Sequence, residues 1–411
     1  MNRLQNTIIE NVDSGSVEAK LKEILHIIRK QLDMDVAFIS QFIDDRRVFK
    51  ILDKKSEASS PLCAGDSDHV DESYCQKIVD GELPHIIPDT SLNTITHNLM
   101  VTQKLMIGSY IGAPIILQGG QVYGTLCCYK NQADKTLTLR DLSFLTAISE
   151  IASTLIEKNI TEEVFLRDVS SRIQKVLKSE DVEIHYQPII NLATNEVAGF
   201  ESLSRFFTLP YRPPNLWFQD AKLVGLGEAL EKLAIQKAVK SIGHIKSGAY
   251  LSINISPEYV LNGAILKILD KVSIEHIVLE VTEHDPIESY EDFNRILAPL
   301  RKAGLRLAID DAGAGYASFQ HILELEPDII KLDISLIRNI HTNRKRFLLA
   351  KALCAFSKSI NCTLLAEGVE YIEELDVLKD LKVDMAQGYL FSQPIPLNEA
   401  VSYQNTIYHK E

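Results

Sequence analysis

GFESLSRF, residues Gly199–Phe206, puts a glutamate and an arginine at the end of an apolar, strand-like run, where a sheet or barrel normally stops on a turn residue. One strand-ending acid is ordinarily a helix N-cap or a solvated rim residue. The reading of Glu201 therefore depends on how the other strands end. From Val182 onward such runs alternate with helical stretches: VEIHYQPII, EVAGFESL, YLSINIS, HIVLEVTE, LRLAIDD, DIIKLD, CTLLAEGVE and MAQGYLFSQP. Strands separated by crossovers of a helix's length imply parallel pairing and, at this count, a TIM-like (β/α)8 barrel.

Each run closes on a polar group: Glu201, Asn254, Glu280, Asp310 with Asp311, Lys331, Glu367 and Gln387. Period-two alternation puts Gly199 and Glu201 on one face, as it does Ser252 and Asn254, Val278 and Glu280, Ile329 with Lys331 and Asp333, and Leu365 and Glu367. If that face points into the barrel, the polar groups converge at its C-terminal rim. Capping accounts for any one of them but must be invoked repeatedly, and it explains neither Lys331 nor Gln387. Acids crowded round one mouth repel unless cations intervene. Hard oxygen ligands suit Mg²⁺ or Mn²⁺, whereas zinc favours histidine and cysteine. The neighbours Asp310 and Asp311 can serve two ions, and two ions about 3.5–4 Å apart form a clamp for displacement at phosphorus. Lys331, one position before the strand's exit, is expected to be desolvated, with its pKa lowered towards a base's.

The chain has 411 residues, which implies two domains. Apolar content of 45% and charged content of 24% are those of a globular protein. A net charge of −13 disfavours non-specific binding to DNA or anionic membrane. The opening MNRLQNTIIENVDSGS lacks the apolar core of a signal peptide, and no run reaches the ~18 apolar residues of a membrane span. A cytoplasmic location is expected, with no DNA or membrane partner. Six cysteines without a CxxC pair read as free thiols rather than a disulfide framework. Alternation sends the adjacent Cys127 and Cys128 to opposite faces. His69, His85, Cys63 and Cys75 match no common metal-site spacing.

In the first segment, VEAKLKEILHIIRKQL has Leu21, Ile24, Leu25, Ile28 and Leu32 at helical spacing, and DVAFISQFI alternates as a strand. GSYIGAPIIL and VYGTLCCYK flank QGGQ, which predicts a hairpin. This order, with the closing helix LRDLSFLTAISEIASTLIEK, resembles a GAF sensory domain over residues 16–158. That resemblance implies an α/β fold and an unknown small ligand or signal. A helix from Leu139 to about Lys178 carries an apolar stripe, Leu142, Leu145, Ile148, Ala152 and Leu155, resumed at Phe165, Val169, Ile173 and Val176. Two readings stay open: the stripe packs on its own domain, or it joins two chains as a homodimer. Residues 159–181 form the expected helical linker.

YQPIINLATNEVAGFESLSRF, INISP, LEVTE, IDDAGAGYASF, IIKLD, LLAEGVE and QGYLFSQP follow one another as the blocks of an EAL-type cyclic di-GMP phosphodiesterase do, and residues 170–402 resemble that family. The barrel domain is expected over 182–402. The resemblance implies hydrolysis of cyclic di-GMP to linear pGpG with two Mg²⁺ or Mn²⁺ ions. Glu201, Asn254, Glu280 and Asp310 would hold the first ion. Asp310 would bridge to the second, completed by Asp311 and Glu367. Lys331 would orient or deprotonate the attacking water, with Glu367 and Gln387 also in the catalytic set. Gln187, Leu203, Arg205, Asp333 and Pro394 would contact the dinucleotide, and Glu283 would brace the loop after Asp311.

The motif reads Glu-Ser-Leu where the family has Glu-Ala-Leu, which leaves the ligand in place. Ala312 and Ala314 stand where Phe and Thr are usual, and Gln393 where a basic residue is common. Two other readings remain: a weak or inactive module that binds cyclic di-GMP as a receptor, and a barrel hydrolase for a different phosphodiester.

Overall fold

The helix Val17–Gln31 forms where Leu21, Ile24, Leu25 and Ile28 recur on one face and Ser16 caps the first turn by accepting from the Ala19 N–H. It covers one face of a six-stranded sheet in the computed structural model, which describes residues 16–405 apart from 210, 247, 271, 283–285 and 313–316. The strands are β1 (Val36–Ile43), β2 (Arg46–Lys54), β3 (Ser67–His69), β4 (Ile86–Ile87), β5 (Ser109–Ile116) and β6 (Val122–Lys130), in the order β3-β2-β1-β6-β5-β4. Strands β5 and β6 are the hairpin around the Gly-Gly turn, antiparallel from Ser109↔Lys130 to Ile116↔Val122. Cys128 enters the apolar cluster under Val17–Gln31, and Cys127 the cluster on the opposite face.

The closing helix runs unbroken from Leu139 to Ser179, across the polar KNITEE stretch. The chain divides into two compact units at Phe165/Leu166. The helix's apolar stripe is occupied by its own chain. Leu145, Ile148 and Ala152 are buried in the first unit's core, while Val169, Ile173 and Val176 pack with Val182, Phe206 and Trp217 in the second. Phe165 does not join them; it is 51% exposed. The stripe thus follows the reading in which it packs on its own domain, and it lends no support to a homodimer.

The second unit is a closed barrel of β7 (Glu183–Asn191), β8 (Val197–Arg205), β9 (Tyr250–Asn254), β10 (Ile277–Thr282), β11 (Arg306–Ala312), β12 (Ile329–Leu332), β13 (Thr363–Ala366) and β14 (Met385–Ala386). The pairs from β8 to β14 are parallel, as expected, but β7 is antiparallel to both β8 and β14. The cause is local. Only residues 192–196 separate β7 from β8, enough for a hairpin and too few for a crossover.

Strand β8 begins its inward face at Gly199, and no larger residue fits there. A Cβ at that position would lie 2.6 Å from the Tyr250 carbonyl oxygen and 2.8 Å from its ring. Gly199→Ala is expected to destabilise the barrel by about 1–3 kcal/mol through overpacking. Urea unfolding followed by Trp217 fluorescence checks this.

Candidate active site

The barrel interior is built in two layers. Below lie Ile189, Tyr250, Val278, Ala308, Ile329, Leu365 and Met385, which pack as one cluster. Each is followed, two positions nearer the C-terminal rim, by a polar residue: Gln187, Ser252, Glu280, Asp310, Lys331, Glu367 and Gln387. For β7 the count runs backwards because that strand is reversed, so Gln187 reaches the same rim by preceding Ile189. Period-two alternation on closed strands therefore stacks a polar layer on an apolar floor.

Lys331 is the hub. Its side chain is wholly buried, and its ammonium lies 2.9 Å from Glu280 Oε2, 3.1 Å from Asp310 Oδ1, 2.8 Å from Glu367 Oε1 and 3.7 Å from Glu201 Oε1. Burial, the largest single influence, pulls its pKa down. The charges of Asp310, Glu201, Glu280 and Glu367 together outweigh burial and raise it well above the ordinary lysine value. The expectation of a lowered, base-like lysine is thereby corrected: desolvation operates, but four carboxylates surround the charge. Burial pushes the Glu280 carboxyl up to about 8 against the pull of Lys331, and it raises Glu367 well above the usual range.

The carboxylates form two overlapping groups. Glu201, Glu280 and Asp310 each bring one oxygen within 4.8 Å of the others, and so do Asp310, Asp311 and Glu367. Asp310 belongs to both. In a regular strand the carboxylates of Asp310 and Asp311 would point to opposite faces. Here β11 breaks register with β12 between Ile309 and Ala312, and Asp311 adopts a left-handed φ of 57°. That bulge brings consecutive acids to one side, and Asp tolerates the left-handed region better than most residues.

The rest of the rim fixes these acids. Asn254 Nδ2 donates to Glu201 Oε1 at 3.2 Å. Gln387 Nε2 donates to Glu201 Oε2 at 2.5 Å and to Gln187 Oε1 at 3.0 Å, and Gln187 in turn donates to the Ser392 carbonyl at 3.1 Å. Gln387 Oε1 is buried with no protein partner among the described residues. An all-oxygen donor set with an unsatisfied buried amide oxygen suits a hard, hydrated divalent cation.

The family model for the EAL domain matches residues 170–394, more than half of the chain. The chain belongs to the EAL domain family. A GAF domain model matches residues 16–156, ahead of the EAL domain. Over 241 residues the chain is 28% identical to the cyclic di-GMP phosphodiesterase NbdA of Pseudomonas aeruginosa, covering 56% of this chain and 31% of that protein. It is 29% identical over 260 residues to the cyclic di-GMP phosphodiesterase PdeA of Borreliella burgdorferi, covering 59% and 38%. The chain thus spans about a third of the length of those relatives. A solved EAL domain protein from Listeria monocytogenes superposes with a TM-score of 0.52 at 27% identity, covering 57% of this chain and 96% of that one.

Within the EAL domain, the remaining expected residues are more dispersed. Leu203 and Arg205 continue the inward face of β8, half-buried, and line a cleft of about 740 Å³ with Glu231, Asn254, Ser256 and Thr282. None of Glu201, Glu280, Asp310 and Glu367 lines that cleft, which meets the polar layer only at its edge. The Pro394 carbonyl lies 3.3 Å from His185 Nδ1, and His185 pairs with Leu203 across β7 and β8. Asp333 caps the helix Ile334–Ile337 by accepting from the Ser335 N–H at 2.8 Å; among the described residues, the carboxylates within 4 Å of Lys331 are the other four. Glu283 and Ala314 lie outside the described residues, while Gln393 is exposed. Sequence reasoning passed over Ser252 as a site residue, although it shares a face with Asn254. Its hydroxyl donates to Glu280 Oε1 at 2.5 Å, and the Ser202 hydroxyl donates to the Ser252 carbonyl at 2.7 Å. The available signal was its position two residues before Asn254 on an inward face.

Proposed function

We propose that this chain hydrolyses cyclic di-GMP to linear pGpG. The observation that carries the reading is the pair of carboxylate groups sharing Asp310 around a buried Lys331. Glu201, Asn254, Glu280 and Asp310 would hold one divalent cation, with the Asn254 amide turned to offer its oxygen. Asp310, Asp311 and Glu367 would hold a second. Two Mg²⁺ or Mn²⁺ ions, when bound, supply charge neutralisation at the attacking and leaving oxygens and acidify a water.

The chain's own residues do the rest. Lys331, packed among these carboxylates, would orient or deprotonate the attacking water. Gln387, fixed between Gln187 and Glu201, presents its free amide oxygen to the same region. Arg205 and Leu203 would receive the dinucleotide along the cleft, whose volume is that of a nucleotide-sized site. Gln187, Asp333 and Pro394 are proposed as further contacts at the rim, with Glu283 supporting the loop beyond Asp311. Hydrolysis forms one bond from water oxygen to phosphorus and breaks the P–O3′ bond, leaving a 5′-phosphate and a free 3′-hydroxyl. The GAF domain is proposed as the regulatory input, and a cytoplasmic homodimer, joined through a surface other than the buried helix stripe, as the working form.

Cyclic di-GMP turnover by the full chain is expected with Mg²⁺ or Mn²⁺, to be abolished by EDTA, and to be inhibited by Ca²⁺, whose larger and looser coordination misplaces the reacting oxygens. Chromatography of the product should show pGpG. Tight binding of cyclic di-GMP without turnover in either metal would instead make the domain a receptor, and turnover of a different cyclic dinucleotide would reassign the substrate.

A further inference from the structure

Cys75 and Cys127 are separated by 52 positions in sequence, yet their sulfurs lie 3.9 Å apart inside the GAF domain, both fully buried. Cys127 sits on β6 directly opposite Gly112 of β5, and the missing side chain makes its room. A Cβ on Gly112 would come within 2.9 Å of the Cys127 sulfur. Cys75 is the more elaborately surrounded of the two. The Arg47 guanidinium donates to its sulfur at 3.2 Å, the Tyr110 hydroxyl lies at 3.4 Å, and the Ser40 hydroxyl, bonded in turn to Thr125, lies at 3.7 Å.

An apolar core needs none of this. Arg47 is only 2% exposed, and a buried guanidinium is costly unless anions face it. It has Asp68 on one side, paired through Nε at 2.9 Å, and the Cys75 sulfur on the other. Burial pushes the Cys75 thiol up, but the Cys127 thiol and the Arg47 charge outweigh it and hold Cys75 well below the ordinary thiol range, while Cys127 is raised. One sulfur is thus primed as a thiolate with a protonated thiol beside it, the arrangement of an attacking and a resolving cysteine. The other cysteines lack it. Burial pushes up the thiols of Cys128, Cys354 and Cys362, and Cys63 is exposed.

We propose that Cys75 and Cys127 are a redox-modification site of the GAF domain, oxidised by hydrogen peroxide to a disulfide. The Cys75 thiolate attacks one peroxide oxygen, so that an S–O bond forms, the O–O bond breaks and hydroxide leaves, taking a proton to become water. The Cys127 sulfur then attacks the sulfenic sulfur of Cys75. The S–S bond forms, the S–O bond breaks, and a second water carries off the Cys127 proton. Two thiols are oxidised and one peroxide is reduced, in balance. Closing from 3.9 Å to bonding distance, about 2.05 Å, asks the two sulfurs to approach by about 1.9 Å. Asp68, one hydrogen bond from Arg47, is 23% exposed, so solvent reaches the side chain next to the one that faces the Cys75 sulfur.

The test uses the full chain in a Cys63→Ser background, which leaves five cysteines and removes the exposed thiol. After a modest excess of hydrogen peroxide and quenching, thiols titrated in denaturant should fall by two, and peptide mapping should find Cys75 joined to Cys127. Cys127→Ser should leave Cys75 as a sulfenic acid that dimedone traps. Arg47→Gln should slow Cys75 oxidation at least about tenfold, since once the thiol's pKa passes the working pH the thiolate fraction falls by about that factor for each further unit. Mapping of the unsubstituted chain is the control for any variant that misfolds. If Cys75 and Cys127 stay reduced there while Cys63 is oxidised, or if Cys75 stops at sulfinic acid with Cys127 untouched, the assignment is overturned.

Discussion

Glu201→Ala is expected to reduce cyclic di-GMP hydrolysis by at least about 100-fold, the loss that removing even an outer partner of a metal ligand can cause. Glu201 is tied to three neighbours. It accepts from Asn254 and Gln387 and lies 3.7 Å from the Lys331 ammonium. Its removal takes one carboxylate from the first cluster and also frees Gln387, so metal affinity and the geometry of the attacking water fall together. Steady-state turnover across a Mg²⁺ titration separates the two contributions. Recovery of turnover at high Mg²⁺ points to affinity alone, and a residual deficit reports the geometry. A variant with near-normal turnover at ordinary Mg²⁺ would remove Glu201 from the site.

Lys331→Met is expected to lower turnover by about 10²–10⁴-fold, the range for a group that handles a proton or its acceptor in the transition state. It has a second, independent signature. Removing the ammonium leaves Glu201, Glu280, Asp310 and Glu367 facing one another in a buried layer, and breaking such a set costs about 3–5 kcal/mol. The variant should therefore melt at lower temperature in EDTA and regain much of the difference in Mg²⁺, because cations bound to the folded state stabilise it by mass action. Calorimetry should still detect cyclic di-GMP binding. Lost turnover without the EDTA-dependent melting shift would mean that the four carboxylates are not a cation-binding unit.

Much of this site could be read from the chain alone because strand alternation is local. Six strands carry a polar residue two positions beyond an apolar one, so Ser252, Glu280, Asp310, Lys331, Glu367 and Gln387 are placed by counting. Alternation likewise separates Cys127 from Cys128, and helical period alone marks Leu21 to Ile28 as a buried face. These are properties of each element's own geometry, and they hold wherever the element packs.

What only the tertiary structure decided are the relations between elements. The pairing of β14 with β7 depends on which strands close the barrel, and it is what puts Gln187 beside Gln387. The bulge at Asp311 breaks alternation, so no counting from the sequence places its carboxylate with that of Asp310. The charge state of Lys331 follows from four acids on four other strands, each remote in sequence, whose summed fields overturn the effect of burial. The long helix's stripe is equally suited to a second chain or to its own cores, and only packing chose the latter. Composition and period fix which way a side chain faces along its own strand or helix. What it meets there is a sum of short-range forces from residues brought close by folding, and neither the pairing of Cys75 with Cys127 nor the ring of acids around Lys331 exists before the chain closes.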